Sequence, residues 1–189
     1  PLAPDAAVGD DGRSLTGIAV DPAGTVWVAV PNTQPGLASY ATLYASADAG
    51  LSFAPRGNLG RHTASASLLP LADGALLAAA RYARFRGVNR AGPSYDQTAV
   101  LRSGDGALSW SAPGLASGYK QTPSALLQAG NATVLVTTSF DCRWSLQDIA
   151  QRPAVRNCSR ALRYILSYDG GRSFTSTVFE VHRGAAAYG

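Results

Sequence analysis

Short apolar segments alternate with turn-forming residues along this chain of 189 residues. Residues 15–20 and 25–30 flank the turn Asp21-Pro22-Ala23-Gly24, and a third apolar segment follows at 40–45. Segments of about six residues bounded by Gly, Pro, Asp and Asn are typical of β-strands. The same order returns at 66–71, 75–80 and 98–102, and again at 124–128, 133–138 and 161–166. Residues 75–80 have helical propensity, but their place in the repeat predicts a strand.

Each third segment runs into the same motif, Ser-x-Asp-x-Gly-x-Ser-aromatic. A short carboxylate can accept backbone N–H bonds inside a tight turn, and glycine supplies a backbone angle that other residues resist. The aromatic residue can pack the turn against a neighbouring layer. The motif residues are Ser46, Asp48, Gly50 and Phe53; Ser103, Asp105 and Trp110, with Ala107 in place of the glycine; and Ser167, Asp169, Gly171 and Phe174.

This motif resembles the Asp-box, or BNR repeat, of sialidase-like β-propellers. The resemblance implies an all-β fold of four-stranded antiparallel blades, with about three blades at 12–57, 62–113 and 121–183. Residues 1–189 would form a single partial propeller. Three blades do not close a ring, because propellers need about four to eight. We therefore expect about half of a six-bladed disc, in a piece of a longer protein, or a chain that pairs with a second copy.

The spacing between motifs predicts where binding occurs. Each unit has a glycine in its first turn, at Gly24, Gly74 and Gly130, and a motif aspartate farther along the chain. The number of residues between the two increases from the first unit to the third, and the added residues lie between the second and third strands. Consecutive hairpins of a blade point to opposite faces, so these long loops lie away from the Asp-boxes. Loops on one rim are frequent binding sites. We expect the Asp-boxes to be structural and the opposite face to be functional.

The second unit carries the residues that could do chemistry. Arginine forks suit carboxylate ligands, and a nearby acid can transfer a proton. The resemblance to sialidases makes Arg81 a pocket arginine and Asp96 the acid/base candidate, with Arg84, Arg86 and Tyr95 as further ligand-binding candidates. The family's first-strand arginine has no counterpart at 64–67, and no Tyr–Glu nucleophile pair can be assigned. The alternative is a solvated loop, or contacts to a partner protein or glycan.

Composition and isolated motifs indicate the compartment. Cys142 and Cys158 are the only two cysteines and fit one disulfide, although two free thiols are possible. Asn131 and Asn157 begin glycosylation sequons. These features favour a secreted protein. The net charge of +4 is too small to indicate nucleic-acid binding, and no apolar run is long enough for a membrane span.

Two classes of function follow. The first is an extracellular, glycosylated propeller module that binds a glycan or protein partner, or further propeller blades, without catalysis. The second is an exo-sialidase or related glycosidase that uses Arg81 and Asp96. A propeller assembly factor or sorting receptor is a third, weaker alternative. We expect no metal and no cofactor, because His62 and His182 form no motif with the cysteines.

Overall fold

The computed structural model describes residues 17–32, 40–61, 63–83, 96–112, 114–116, 121–142 and 158–186. Within these ranges the chain forms twelve β-strands and no helix. The strands are β1 (Gly17–Val20), β2 (Val26–Asn32), β3 (Tyr40–Ser46), β4 (Ala54–Asn58), β5 (Thr63–Pro70), β6 (Leu76–Ala83), β7 (Asp96–Ser103), β8 (Gly114–Leu115), β9 (Gln121–Ala129), β10 (Ala132–Cys142), β11 (Cys158–Ser167) and β12 (Phe179–Ala186).

The strands form three separate four-stranded sheets, each antiparallel and in chain order. This meander is a propeller blade, so the prediction of an all-β propeller with three blades is confirmed. The first strands β1, β5 and β9 lie next to one another, and the later strands fan outward. We call the end that carries residues 46–53, 103–110 and 167–174 the turn face and those segments the repeat turns. The opposite end is the loop face.

Blade 2 is buried on both of its faces, which explains its composition. Along β6, Leu76, Ala78 and Ala80 belong to the core shared with blade 1, whereas Leu77 and Ala79 belong to the core shared with blade 3. Successive residues of a strand point to opposite sides, so a strand between two sheets is apolar at every position. The Leu/Ala run that resembled a helix is therefore a doubly buried strand.

Close backbone approach joins blades 1 and 2. A Cβ atom at Gly17 in β1 would lie 2.3 Å from the carbonyl oxygen of Ala66 in β5. Farther out, a Cβ atom at Gly57 in β4 would lie 2.3 Å from the carbonyl oxygen of Ala107. These glycines let the two sheets come together along their inner and outer strands.

The outermost strands begin where the repeat pattern alone does not place them. The residues that follow the third motif, 175–181, are expected from the repeat to form the fourth strand of blade 3, but this prediction is wrong at its start, because β12 runs from Phe179 to Ala186. Thr175 is instead held to β11: its N–H donates to the Leu166 carbonyl at 2.7 Å, and its hydroxyl accepts from the Leu166 N–H at 3.2 Å. The outer strand of blade 2, β8, has two residues, whereas β4 has five.

Candidate functional site

The backbone register places the two principal candidates on one face of blade 2. Arg81 in β6 is paired with Thr98, and Asp96, the first residue of β7, is paired with Ala83. Paired residues, and residues two apart along a strand, share a face of the sheet. Positions 81 and 96 therefore share a face at the loop-face end of this hairpin. It is the face toward blade 3, because positions 77 and 79 of the same strand pack there.

The other predicted loop-face residues fall outside the described ranges. Arg84, Arg86 and Tyr95 belong to the segment 84–95, and Asn157 belongs to 143–157. Asn131 is exposed in the turn between β9 and β10.

The two cysteines are direct cross-strand partners. Cys142 ends β10, Cys158 begins β11, and the two positions oppose each other in the ladder. Opposed residues of an antiparallel pair have Cα atoms about 4.5–5.5 Å apart, within the range of disulfides. The register supports the predicted disulfide, which stays a prediction.

The three repeat turns share one hydrogen-bond pattern. In the first, the hydroxyl of Ser46 donates to Asp48 Oδ1 at 2.6 Å and accepts from the N–H of Gly50 at 2.8 Å, while the N–H of Ser52 donates to Asp48 Oδ1 at 2.9 Å. The first serine of each motif is buried, whereas the aspartate and the second serine are exposed. The same bonds join Ser103, Asp105, Ala107 and Ser109 in the second turn, and Ser167, Asp169, Gly171 and Ser173 in the third.

The hydroxyl of the second serine of each motif also donates to the aspartate Oδ2. Together these bonds lower the pKa of all three carboxyl groups. The Ser46 hydroxyl is the largest cause at Asp48, and the Ser173 hydroxyl at Asp169. At Asp105 the Ser109 hydroxyl is the largest cause, and the pKa falls to about 2. Groups that stay ionised and fully engaged in turn bonds are poor proton donors near neutral pH. This arrangement favours a structural role.

The aromatic residues of the second and third repeat turns lie against the cores between the blades. Trp110 packs against the core between blades 1 and 2, and Phe174 against the core between blades 2 and 3. These contacts tie the second and third repeat turns to a neighbouring sheet.

A groove of about 610 Å³ opens on the turn face between blades 2 and 3. Arg102 of β7 and Arg172 of the third repeat turn both line it, together with Phe174. Hydroxyl groups complete the wall, contributed by Ser111, Ser173, Thr175 and Ser176. The sequence did not predict this site, because its two arginines lie 70 positions apart and only the packing of blade 3 on blade 2 brings them together.

Asp73 positions one of the groove arginines. Its Oδ2 accepts from Arg102 Nη2 at 2.6 Å, and its Oδ1 accepts from the N–H of Ala75 at 3.1 Å. The Ala75 N–H, then the charges of Arg102 and Arg172, hold the pKa of Asp73 below its usual value. Asp73 does not line the groove, so the groove wall carries two cations and no anion among the residues described.

Other classes of site have no support in the described part of the chain. Among those residues, no three His, Cys, Asp or Glu side chains come together as metal ligands. None of the described segments is a helix able to cross a membrane.

The comparisons with known proteins identify the fold. No family model and no curated protein matches the chain. An alpha-L-arabinofuranosidase from Fusarium graminearum matches at 14% identity and a TM-score of 0.64, covering 94% of this chain and 51% of that structure. A protein of unknown function from Dyadobacter fermentans matches at 18% identity and a TM-score of 0.53, covering 83% of this chain and 50% of that structure. The chain thus spans about half the length of these structures. The Hadza microbial sialidase Hz136 matches at 13% identity and a TM-score of 0.46, covering 89% of this chain and 45% of that structure.

Proposed function

We propose that this chain contributes three blades to an extracellular β-propeller that binds an anionic glycan at its loop face. The observation that carries the proposal is the register of blade 2, which brings Arg81 and Asp96 to one face at the loop end of the β6–β7 hairpin. A guanidinium group binds carboxylates through paired hydrogen bonds. Arg81 is half-buried, and a partly desolvated arginine makes a stronger and more selective contact than a solvated one.

The two end faces of the three-blade stack support the presence of further blades. On blade 1, Ile18 and Val20 are 66% and 59% exposed. On blade 3, Leu127 is 52% exposed. Val134 in β10 occupies the same register position as Leu77 in β6, because each follows the residue that is paired with the first serine of the motif. Apolar faces that are buried inside the stack are left in water at its ends. We infer that further blades of the same propeller cover them, as the doubled length of the matching structures suggests.

Secretion is part of the proposal. Asn131 begins a sequon at an exposed turn, and Cys142 and Cys158 are positioned for a disulfide. Both modifications belong to the secretory pathway.

A glycoside hydrolase is the second candidate. The same pair favours it, because Arg81 could hold a sugar carboxylate while Asp96 transfers a proton. The arabinofuranosidase shares the fold, and a fold hosts many functions. The first-strand positions 64–67 lack the arginine expected of a sialidase, so we rank binding above catalysis.

A pair of assays on the purified protein separates these candidates. Binding is measured on a glycan array, and turnover with a fluorogenic sialoside and a fluorogenic arabinofuranoside. The variants are Arg81→Ala, Arg81→Lys and Asp96→Asn, with Arg56→Ala on the exposed strand β4 as the matched control. Thermal unfolding of each variant verifies that it folds.

The outcomes are distinct. Glycan retention that is lost in Arg81→Ala, without turnover of either substrate, supports the binding module. Turnover that disappears in Asp96→Asn supports the hydrolase. If no substitution changes glycan binding or substrate turnover, both assignments are refuted.

A further inference from the structure

The groove lies between the outer segment of blade 2 and the third repeat turn. β8 pairs with β7 at Gly114 and Leu115, opposite Val100 and Ala99. The described residues on either side of β8 also bond to β7, since the N–H of Ser111 donates to the Arg102 carbonyl and the N–H of Ala116 to the Thr98 carbonyl. This outer segment forms one wall of the groove, and the third repeat turn with Thr175 and Ser176 forms the other.

The same space between blades 1 and 2 is filled. Gly57 in β4 lets the backbone of Ala107 come within contact distance, and Ala107 is fully buried. Trp110 packs against the core of that interface. The blade 2–3 groove is therefore a local feature of this sequence and does not follow from propeller geometry in general.

The chemistry of the groove wall favours an anion. Arg102 donates from Nη2 to Asp73, and Arg172 donates from Nη1 to the carbonyl oxygen of Asp169 at 2.9 Å. A guanidinium group carries five N–H donors, so each arginine is oriented by one contact and keeps further donors. Asp73 neutralises part of the charge, and one net positive charge remains among these three side chains.

The groove also suits a sugar ring. Phe174 lines it, and aromatic side chains provide an apolar surface for the ring carbons. Ser176 is exposed beside it and can exchange hydrogen bonds with sugar hydroxyls. The volume, about 610 Å³, lies within the usual range for small-ligand sites.

We propose that this groove is a second ligand site, which binds a saccharide that carries a sulfate or carboxylate group. Arg102 and Arg172 contact the oxyanion, and the ring lies on Phe174. The site is on the turn face, so it is separate from the loop-face site and does not depend on the function proposed there.

Titration calorimetry on the purified protein tests the proposal with four probes: a sulfated disaccharide, the unsulfated disaccharide, glucuronic acid and inorganic sulfate. The variants are Arg172→Gln and Phe174→Leu, with Arg56→Gln as the matched control for loss of a positive charge. Loss of one charge-assisted hydrogen bond predicts binding about tenfold weaker in Arg172→Gln. Loss of the aromatic surface predicts about fivefold weaker binding in Phe174→Leu.

We expect the two acidic sugars to bind more tightly than the unsulfated disaccharide. The affinity for the acidic sugars should be reduced in Arg172→Gln and Phe174→Leu and unchanged in Arg56→Gln. Equal binding of the sulfated and unsulfated disaccharides would overturn the anion assignment. Inorganic sulfate that binds as tightly as the sulfated sugar would overturn the saccharide assignment. Binding that is lost in Arg81→Ala and retained in Arg172→Gln would locate the ligand at the loop face and refute the second site.

Discussion

Replacement of Gly171 by alanine would test how tightly the third repeat turn is packed against blade 2. Gly171 has a φ of +78°, and a Cβ atom there would lie 2.4 Å from Leu77 Cδ1 and 2.9 Å from Leu77 Cδ2. Leu77 is completely buried between blades 2 and 3. Gly171→Ala therefore combines a strained backbone angle with a steric clash in a core that has little room to relax.

The two costs can be given separate magnitudes. A left-handed backbone angle costs an L-residue about 1–2 kcal/mol. Overpacking a closed core costs about 1–3 kcal/mol. Gly171→Ala should therefore lower the free energy of unfolding by about 2–5 kcal/mol.

Gly74→Ala is the matched control, because Gly74 lies in a turn of blade 2, which has a blade on both sides. Its φ is +81°, and no atom would lie within 4 Å of an added methyl group. This variant should show the backbone cost alone, about 1–2 kcal/mol. Ala107 stands at the motif position of Gly171 in blade 2 with a φ of +66°, so the repeat turn accommodates alanine where the neighbouring sheet leaves space.

The assay is urea-induced unfolding followed by tryptophan fluorescence. A second variant, Leu77→Ala, creates the space that the added methyl group needs. The double variant Gly171→Ala/Leu77→Ala should be less destabilised than the sum of the two single variants, because the clash is removed. If Gly171→Ala and Gly74→Ala are destabilised equally, the predicted clash does not occur and the reasoning is refuted.

Three further predictions concern the turns and the blade contacts. The folded-state pKa of Asp105, about 2, is below its usual 3.8, so its contribution to stability is complete above about pH 4 and falls as the pH drops toward about 2. In urea unfolding, Asp105→Asn should therefore lose less stability between about pH 4 and about pH 2 than the original protein. An equal loss in both proteins would contradict this prediction. Cys142→Ser should lower stability by about 3 kcal/mol under oxidising conditions and by little under reducing conditions, whereas equal loss in both would argue against a disulfide with Cys158. Gly57→Ala should lower the thermal unfolding midpoint by several degrees, because its Cβ would lie 2.3 Å from the Ala107 carbonyl oxygen. The backbone of β4 cannot move away from Ala107 without separating blades 1 and 2. An unchanged midpoint would show that the outer strands separate easily.

The sequence alone determined the architecture of this protein. Short apolar segments, turn residues and a motif repeated three times are local signals, and together they predict a four-stranded blade. The repeat also corrected a local error, since residues 75–80 have helical propensity but occupy a strand position. Blade order followed without tertiary information because consecutive strands of a meander pair with their neighbours.

The candidate loop-face pair was predictable for a similar reason. Arg81 and Asp96 flank one hairpin, and the hairpin register decides whether they share a face. The sequence could place both residues at the correct end of the blade. Only the observed pairing of Arg81 with Thr98, and of Ala83 with Asp96, showed that the two positions share a side.

Only the tertiary structure decided the boundaries of the outer strands and the position of the turn-face groove. Outer strands such as β8 have one neighbour and weak apolar patterning, so contacts such as those of Thr175 with Leu166 determine where they begin. The groove depends on the space between two sheets, which is set by side-chain volumes at positions distant in sequence. Arg102 and Arg172 come together there because blade 3 packs on blade 2, and no local pattern encodes that distance.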